Sequence, residues 1–172
     1  MAHEPVRAVA APGLVIGATL GMAGTFAPWP ELRAVAWTAD GVALVVAGAV
    51  LVIHHLQRGN ALLAAGFLVF VAGQTLIVSA SGMDLTASAP IFGAGAALWS
   101  AALALVSASP ILPAVVRSTG VIAATLFAIT STRIMIGANL TPLSEPLPFY
   151  AYPFFAFTLF GWAWTHWRPT SA

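Results

Sequence analysis

Cysteine and lysine are both absent from this chain of 172 residues, and only 6% of it is charged. Without cysteine there are no disulfides, no thiolate metal sites and no cysteine nucleophile. With so little charge the chain departs from soluble domains, where roughly a quarter of residues are charged. The six basic residues are all arginine and face five acids, and a net charge of +1 gives nucleic acid no electrostatic foothold. Walker loop, HExxH, GxSxG and dinucleotide fingerprint are missing too, so no motif points to an enzyme of soluble substrates.

What the chain has is apolar bulk: 60% hydrophobic residues and a mean hydropathy of +0.94. This is the composition of an integral membrane protein. At about 20 apolar residues per crossing the length allows six helices and little else. The spans read as about 9–27, 35–56, 61–80, 91–107, 118–138 and 149–166. Together they predict an all-α transmembrane bundle, one domain over 1–172, made of three helical hairpins at roughly 9–58, 61–109 and 118–168. Each hairpin turns through a longer loop bearing an acid: Glu31, Asp84 and Glu145.

Arginine placement sets the expected threading. Arg7, Arg58, Arg117 and Arg168 fall on one side, Arg33 on the other, and Arg133 within a helix. By the positive-inside rule both termini are cytoplasmic, in a multi-pass inner membrane protein of bacterial type. The aromatic residues agree, with Trp29, Trp37, Tyr150 and Tyr152 at the outer boundary and Trp162, Trp164 and Trp167 at the inner one. Trp99 lies deeper and reads as core.

The first span carries Gly13, Gly17, Gly21 and Gly24 along one face, a surface that lets another helix approach closely. Such a face suits packing within the chain, a homo-oligomer or a larger membrane complex. Six glycine-rich helices, a proline after the first (APWPEL), and the segment VIHHLQRG followed by LLAAGFLVFVAG resemble the HdeD-type six-helix acid-resistance membrane proteins. The resemblance implies a non-enzymatic stress-response protein, and the glycine faces independently favour an accessory role exercised through helix packing.

Two constellations suggest a site. Arg133, three residues after Thr130 in the fifth span, is the only arginine placed inside a helix, where a guanidinium normally faces protein, a water-filled cavity or headgroups. Asp40 and Gln74 come out at similar depth, with Glu145 in the loop above. An outer pocket of Asp40, Gln74, Thr130, Arg133 and Glu145 would bind an anion or polar headgroup, making the protein a small transporter, a channel or a lipid-binding protein. The plainer expectation is that Arg133 reaches the headgroups from a nearby helix end, or bridges to Asp40.

The second constellation is His54 and His55 at the end of the second span with His166 at the end of the sixth. Imidazoles from two helices ligate haem iron or copper, so His55 and His166 define a redox-subunit alternative. Against it, adjacent histidines point about 100° apart on a helix and none lies mid-bundle, which favours headgroup contacts. The principal reading accordingly carries no cofactor. Finally, the loop NLTPLSEPLPFYAYP holds Pro142, Pro146, Pro148 and Pro153, which stiffen it into an ordered cover over the bundle.

Overall fold

The computed structural model describes residues 6–168, so the chain termini themselves lie outside the described residues. Six helices follow one another without a strand among the described residues: α1 (Ala11–Thr25), entered through a π-helical turn over Val6–Ala10, α2 (Pro30–Gln57), α3 (Ala61–Ala80), α4 (Leu85–Ala108), α5 (Ala114–Met135) and α6 (Ala151–Trp167). Val6–Thr25, the π-helical turn and α1 together, and α2 to α5 are long and apolar enough to cross a membrane. At 17 residues α6 is shorter than these five spans, about 25 Å long, and lies packed between α1 and α5.

Capping chemistry moves several boundaries away from the sequence expectation. The fourth helix starts at Leu85, not near 91, because Asp84 caps it: its Oδ1 accepts from the backbone N–H of Thr86 at 2.9 Å and of Ala87 at 3.1 Å. Pro90 therefore sits inside a helix, where it forgoes the backbone bond to the carbonyl four residues back. Helix α2 opens on Pro30, at a position whose N–H has no helical partner in any case. At the other end of the series, α5 stops at Met135 because Gly137 turns the chain with a φ of +94°.

Each helix packs on its neighbours in the chain, and α6 returns against α1, which closes the six into a ring. Aromatic side chains fill the middle of that ring. Phe67 and Phe70 of α3, Phe127 of α5 and Trp162 of α6 are fully buried. Phe67 and Phe70 meet Trp162 edge to face at 5.0 and 5.6 Å, and Phe127 meets Trp99 and Phe155 at 5.2 and 5.5 Å. Such tilted pairs bring positive ring edges onto negative faces. Trp99 is core, 5% exposed.

The outside of the ring is apolar too. Val42, Val46 and Ile53 of α2, Val121 and Ile129 of α5 and Phe157 of α6 are all exposed. A protein in water rarely shows so continuous an apolar surface, whereas hydrocarbon covers it without cost. Buried Thr130 and Thr158 bond within their own helices, Thr130 to the Leu126 carbonyl at 2.9 Å and Thr158 to the Phe154 carbonyl at 2.8 Å, whereas Ser107 Oγ is buried without a partner.

The glycine face of α1 is occupied by α2. A side chain at Gly13 would stand 3.0 Å from both the Ala43 carbonyl oxygen and the Ala47 Cβ; Gly17 faces Leu44, Gly21 faces Asp40 and Gly24 faces Trp37. The close approach anticipated from sequence is thus made within the chain.

Candidate functional site

Two ends of the ring differ in chemistry. One carries the long 136–150 connection between α5 and α6, and is called the loop end; the other carries His54, His55 and His166.

At the loop end a cavity opens between α1, α2, α3, α4 and α6. Its rim is hydroxylic, with Thr25 at the end of α1, Ser81 just past α3 and Ser88 in the first turns of α4; its floor is Gly17, Leu44, Trp99 and Leu159. Thr25 to Gly17 is eight residues of helix, which makes the cavity about 12 Å deep. Water-sized groups have about 70 Å³ of it to occupy, enough for about five waters.

Among the described residues Asp40 is the one charged side chain lining it. Its carboxylate is buried, 7% exposed, and its Oδ1 accepts a 3.2 Å hydrogen bond from Gln74 Nε2 of α3. Oδ2 lies against α1, where the missing side chain of Gly21 makes room: a Cβ there would come within 3.0 Å of that oxygen. The glycine face of α1 therefore does more than pack helices, since it lets a carboxylate sit between α1 and α3. Burying a carboxylate is costly unless a cation or several donors meet it, and the structure supplies a single amide.

The loop covers this cavity. Pro142 lines it and is buried, and Tyr152 of α6, which also lines it, donates its hydroxyl to the Pro142 carbonyl at 2.7 Å. Thr141 and Ser144 tie the loop to itself, the Thr141 N–H donating to Ser144 Oγ at 2.8 Å. The expected ordered cover is present in this form, held by a tyrosine at its exit.

Of the residues proposed from sequence, Asp40 and Gln74 are brought together and the others are not. Thr130 is fully buried in α5 and donates to the Leu126 carbonyl at 2.9 Å, away from the cavity lining. Arg133 is exposed in the last turn of α5, with no ion pair to Asp40, and does not line the cavity. Its guanidinium lies where the helix dipole favours a cation and where lipid headgroups are within reach. Glu145 is exposed on the loop. Sequence reading missed Trp99, Tyr152, Phe155 and Pro142 as lining residues, because nothing in an apolar run distinguishes a residue facing a void from one facing a neighbour.

No family model, curated protein or solved structure matches this chain. Function therefore has to be argued from this geometry.

At the opposite end His55 and His166 meet, their Nε2 atoms 3.0 Å apart. His166 Nδ1 lies 2.7 Å from the Trp162 carbonyl and so carries a proton. With both rings neutral, His166 Nε2 is then the acceptor and His55 Nε2 the donor. His55 Nδ1 is left as a buried nitrogen without a hydrogen-bond partner. His55 also stacks on Phe67, with the rings 5° from parallel at 5.5 Å, and His54 stands 5.1 Å from His55, ring to ring. Two imidazoles trans on a metal stand about 4 Å apart at about 2 Å per metal–nitrogen bond, so this pair would have to open by about 1 Å to admit one. Among the described residues no group of three or more histidines or carboxylates is arranged to hold a metal ion. Around the pair, Arg7 lies 5.6 Å over Trp167 and Arg168 lies 4.4 Å over Trp164, an interfacial belt of arginine on indole.

Proposed function

We propose that this chain is a multi-pass inner-membrane protein that binds a small molecule in its loop-end cavity, as a transporter or a ligand-responsive accessory subunit does. The buried Asp40 carboxylate, lining a covered cavity and met only by Gln74, is the observation that carries this reading. A protein that worked through helix packing alone would have no use for a carboxylate kept in a hole. The aromatic midsection supports a site loaded from one side over an open channel, because Phe67, Phe70, Phe127 and Trp162 fill the space below it.

Both termini are assigned to the cytoplasm, with the cavity facing outward. The supporting observation is charge: Arg7, Arg58, Arg117 and Arg168 gather at the histidine end, against Arg33 and Arg133 at the loop end. The likeness to HdeD-type proteins adds a stress-response setting, in which the three successive helix pairs would be repeats of one hairpin.

Trp37 and Trp99 line the cavity and make intrinsic fluorescence its reporter. The detergent-solubilised protein is titrated with small ammonium, neutral and carboxylate compounds, alongside Ala156→Phe, which fills the cavity from α6, and Arg133→Ala, which lies outside it. A saturable response in the wild type and in Arg133→Ala, lost in Ala156→Phe with helicity unchanged, is the expected result. A response that survives filling of the cavity, or none from any compound class, overturns the reading.

A further inference from the structure

The charge and walls of this cavity also define what it takes. We infer that the ligand is a small organic ammonium cation, with Asp40 as its counter-ion; the inference rests on the cavity being a ligand site. Asp40 is the one charged residue of the lining, and no arginine reaches it: Arg133 is exposed at the end of α5, and Arg33 lies 5.8 Å over Trp37 with its Nη2 donating to the Ala27 carbonyl at 3.3 Å. Among the described residues the carboxylate therefore lacks a cation partner.

The walls decide which cation. A hard metal cation such as calcium needs six or more oxygen ligands close around it, and the lining around Asp40 is mostly apolar, with the hydroxyls of Thr25, Ser81 and Ser88 gathered at the rim. Aromatic residues are abundant instead, with Trp37, Phe92, Trp99, Tyr152 and Phe155 all in the lining. Rings beside a carboxylate suit an alkylated ammonium, which offers a diffuse positive charge to π-faces and methyl groups to apolar walls. An anion would meet Asp40 unfavourably, and a neutral molecule would leave the carboxylate unmatched. The 70 Å³ open to water-sized groups suits a ligand of on the order of five to ten non-hydrogen atoms.

Choline and 3,3-dimethylbutan-1-ol have the same shape and differ in the charge of one central atom, so they isolate the effect. Both are titrated into the purified full chain by calorimetry and tryptophan fluorescence, against wild type and Asp40→Asn. Choline is expected to bind the wild type at least tenfold more tightly than the alcohol, and Asp40→Asn is expected to remove that preference. Equal binding of the two by the wild type overturns the cation assignment and leaves the cavity reading standing. Preference for choline that persists in Asp40→Asn overturns the role of Asp40. Absence of binding by either compound overturns the inference as well, and the filled-cavity experiment then decides separately whether the cavity is a site for anything else. The wild-type comparison needs no variant, so poor folding of Asp40→Asn leaves the test intact.

Discussion

Replacing Gly13 by leucine tests the packing on which the whole site depends. Gly13 meets α2 at two atoms that cannot rotate aside, the Ala43 carbonyl oxygen and the Ala47 Cβ, each 3.0 Å from where a first side-chain carbon would stand. Even that first carbon requires α1 and α2 to part by several tenths of an ångström, and leucine adds three more. Overpacking of this kind costs about 1–3 kcal/mol for small additions and more for large ones. Removing a helical glycine returns about 1 kcal/mol at most. For leucine, at the upper end of that range, the net loss is about 2 kcal/mol, which at about 2–4 °C per kcal/mol for a chain of this size lowers Tm by about 4–8 °C. Val15→Leu, two residues on and 42% exposed towards lipid, is the matched control and should stay within about 0.5 kcal/mol. Thermal unfolding in detergent followed by circular dichroism reads both, and size-exclusion chromatography runs beside it. If Gly13→Leu behaves like Val15→Leu, or keeps its Tm while an oligomer falls apart, the glycine face packs on another chain and the reasoning fails.

Three further outcomes follow from single contacts. Gln74→Leu should cost about 1–3 kcal/mol by stripping Asp40 of its amide donor, yet cost little in an Asp40→Leu background, because Gln74 Oε1 already lacks a partner; a double-mutant cycle on unfolding midpoints measures the difference. At the histidine end, His166→Phe should cost about 1–3 kcal/mol because it leaves the His55 Nε2 donor buried and unmet, whereas His55→Phe also discards an orphaned Nδ1 and should cost less; equal losses in thermal unfolding would contradict the assigned hydrogen-bond direction. Tyr152→Phe frees the loop from α6 at a cost of about 0.5–1.5 kcal/mol, and limited proteolysis with a protease of broad specificity should then cut within the 136–150 connection faster than in wild type.

Helices were legible in this sequence wherever hydropathy alone defines them. The expected span 61–80 matches α3 residue for residue, because an apolar run bounded by Gly59-Asn60 and by Ser81-Gly82 leaves the helix no other course. The start of the fourth helix, at Leu85, is not legible from hydropathy, for a physical reason. Proline at position 90 reads as a break, but a capped helix start tolerates it, and only the Asp84 cap, two backbone N–H bonds on one carboxylate oxygen, reveals that the helix is already running. Ring closure of α6 on α1 was not legible at all, since it depends on which aromatic faces meet across the interior.

The site divides along the same line. Depth in the membrane can be counted along a helix, and counting placed Asp40 and Gln74 together; the pair is hydrogen-bonded at 3.2 Å. Azimuth about the helix axis cannot be counted when every face is apolar, and Arg133 shows the consequence. It lies in the last turn of α5 with Thr130 one turn earlier, yet Thr130 is fully buried and Arg133 exposed, so the two share a side of the helix only loosely. A charge that close to a helix end escapes to the headgroups at low cost, and so its rarity says little about function. Asp40 has no such escape. Its carboxylate is 7% exposed and held between Gly21 of α1 and Gln74 of α3, and aspartate is too short to swing clear of them. For a buried ionisable residue in a membrane protein, the length of the side chain set against its depth is thus a better guide to a site than the mere presence of charge, and by that measure the short carboxylate is a stronger candidate than the long guanidinium.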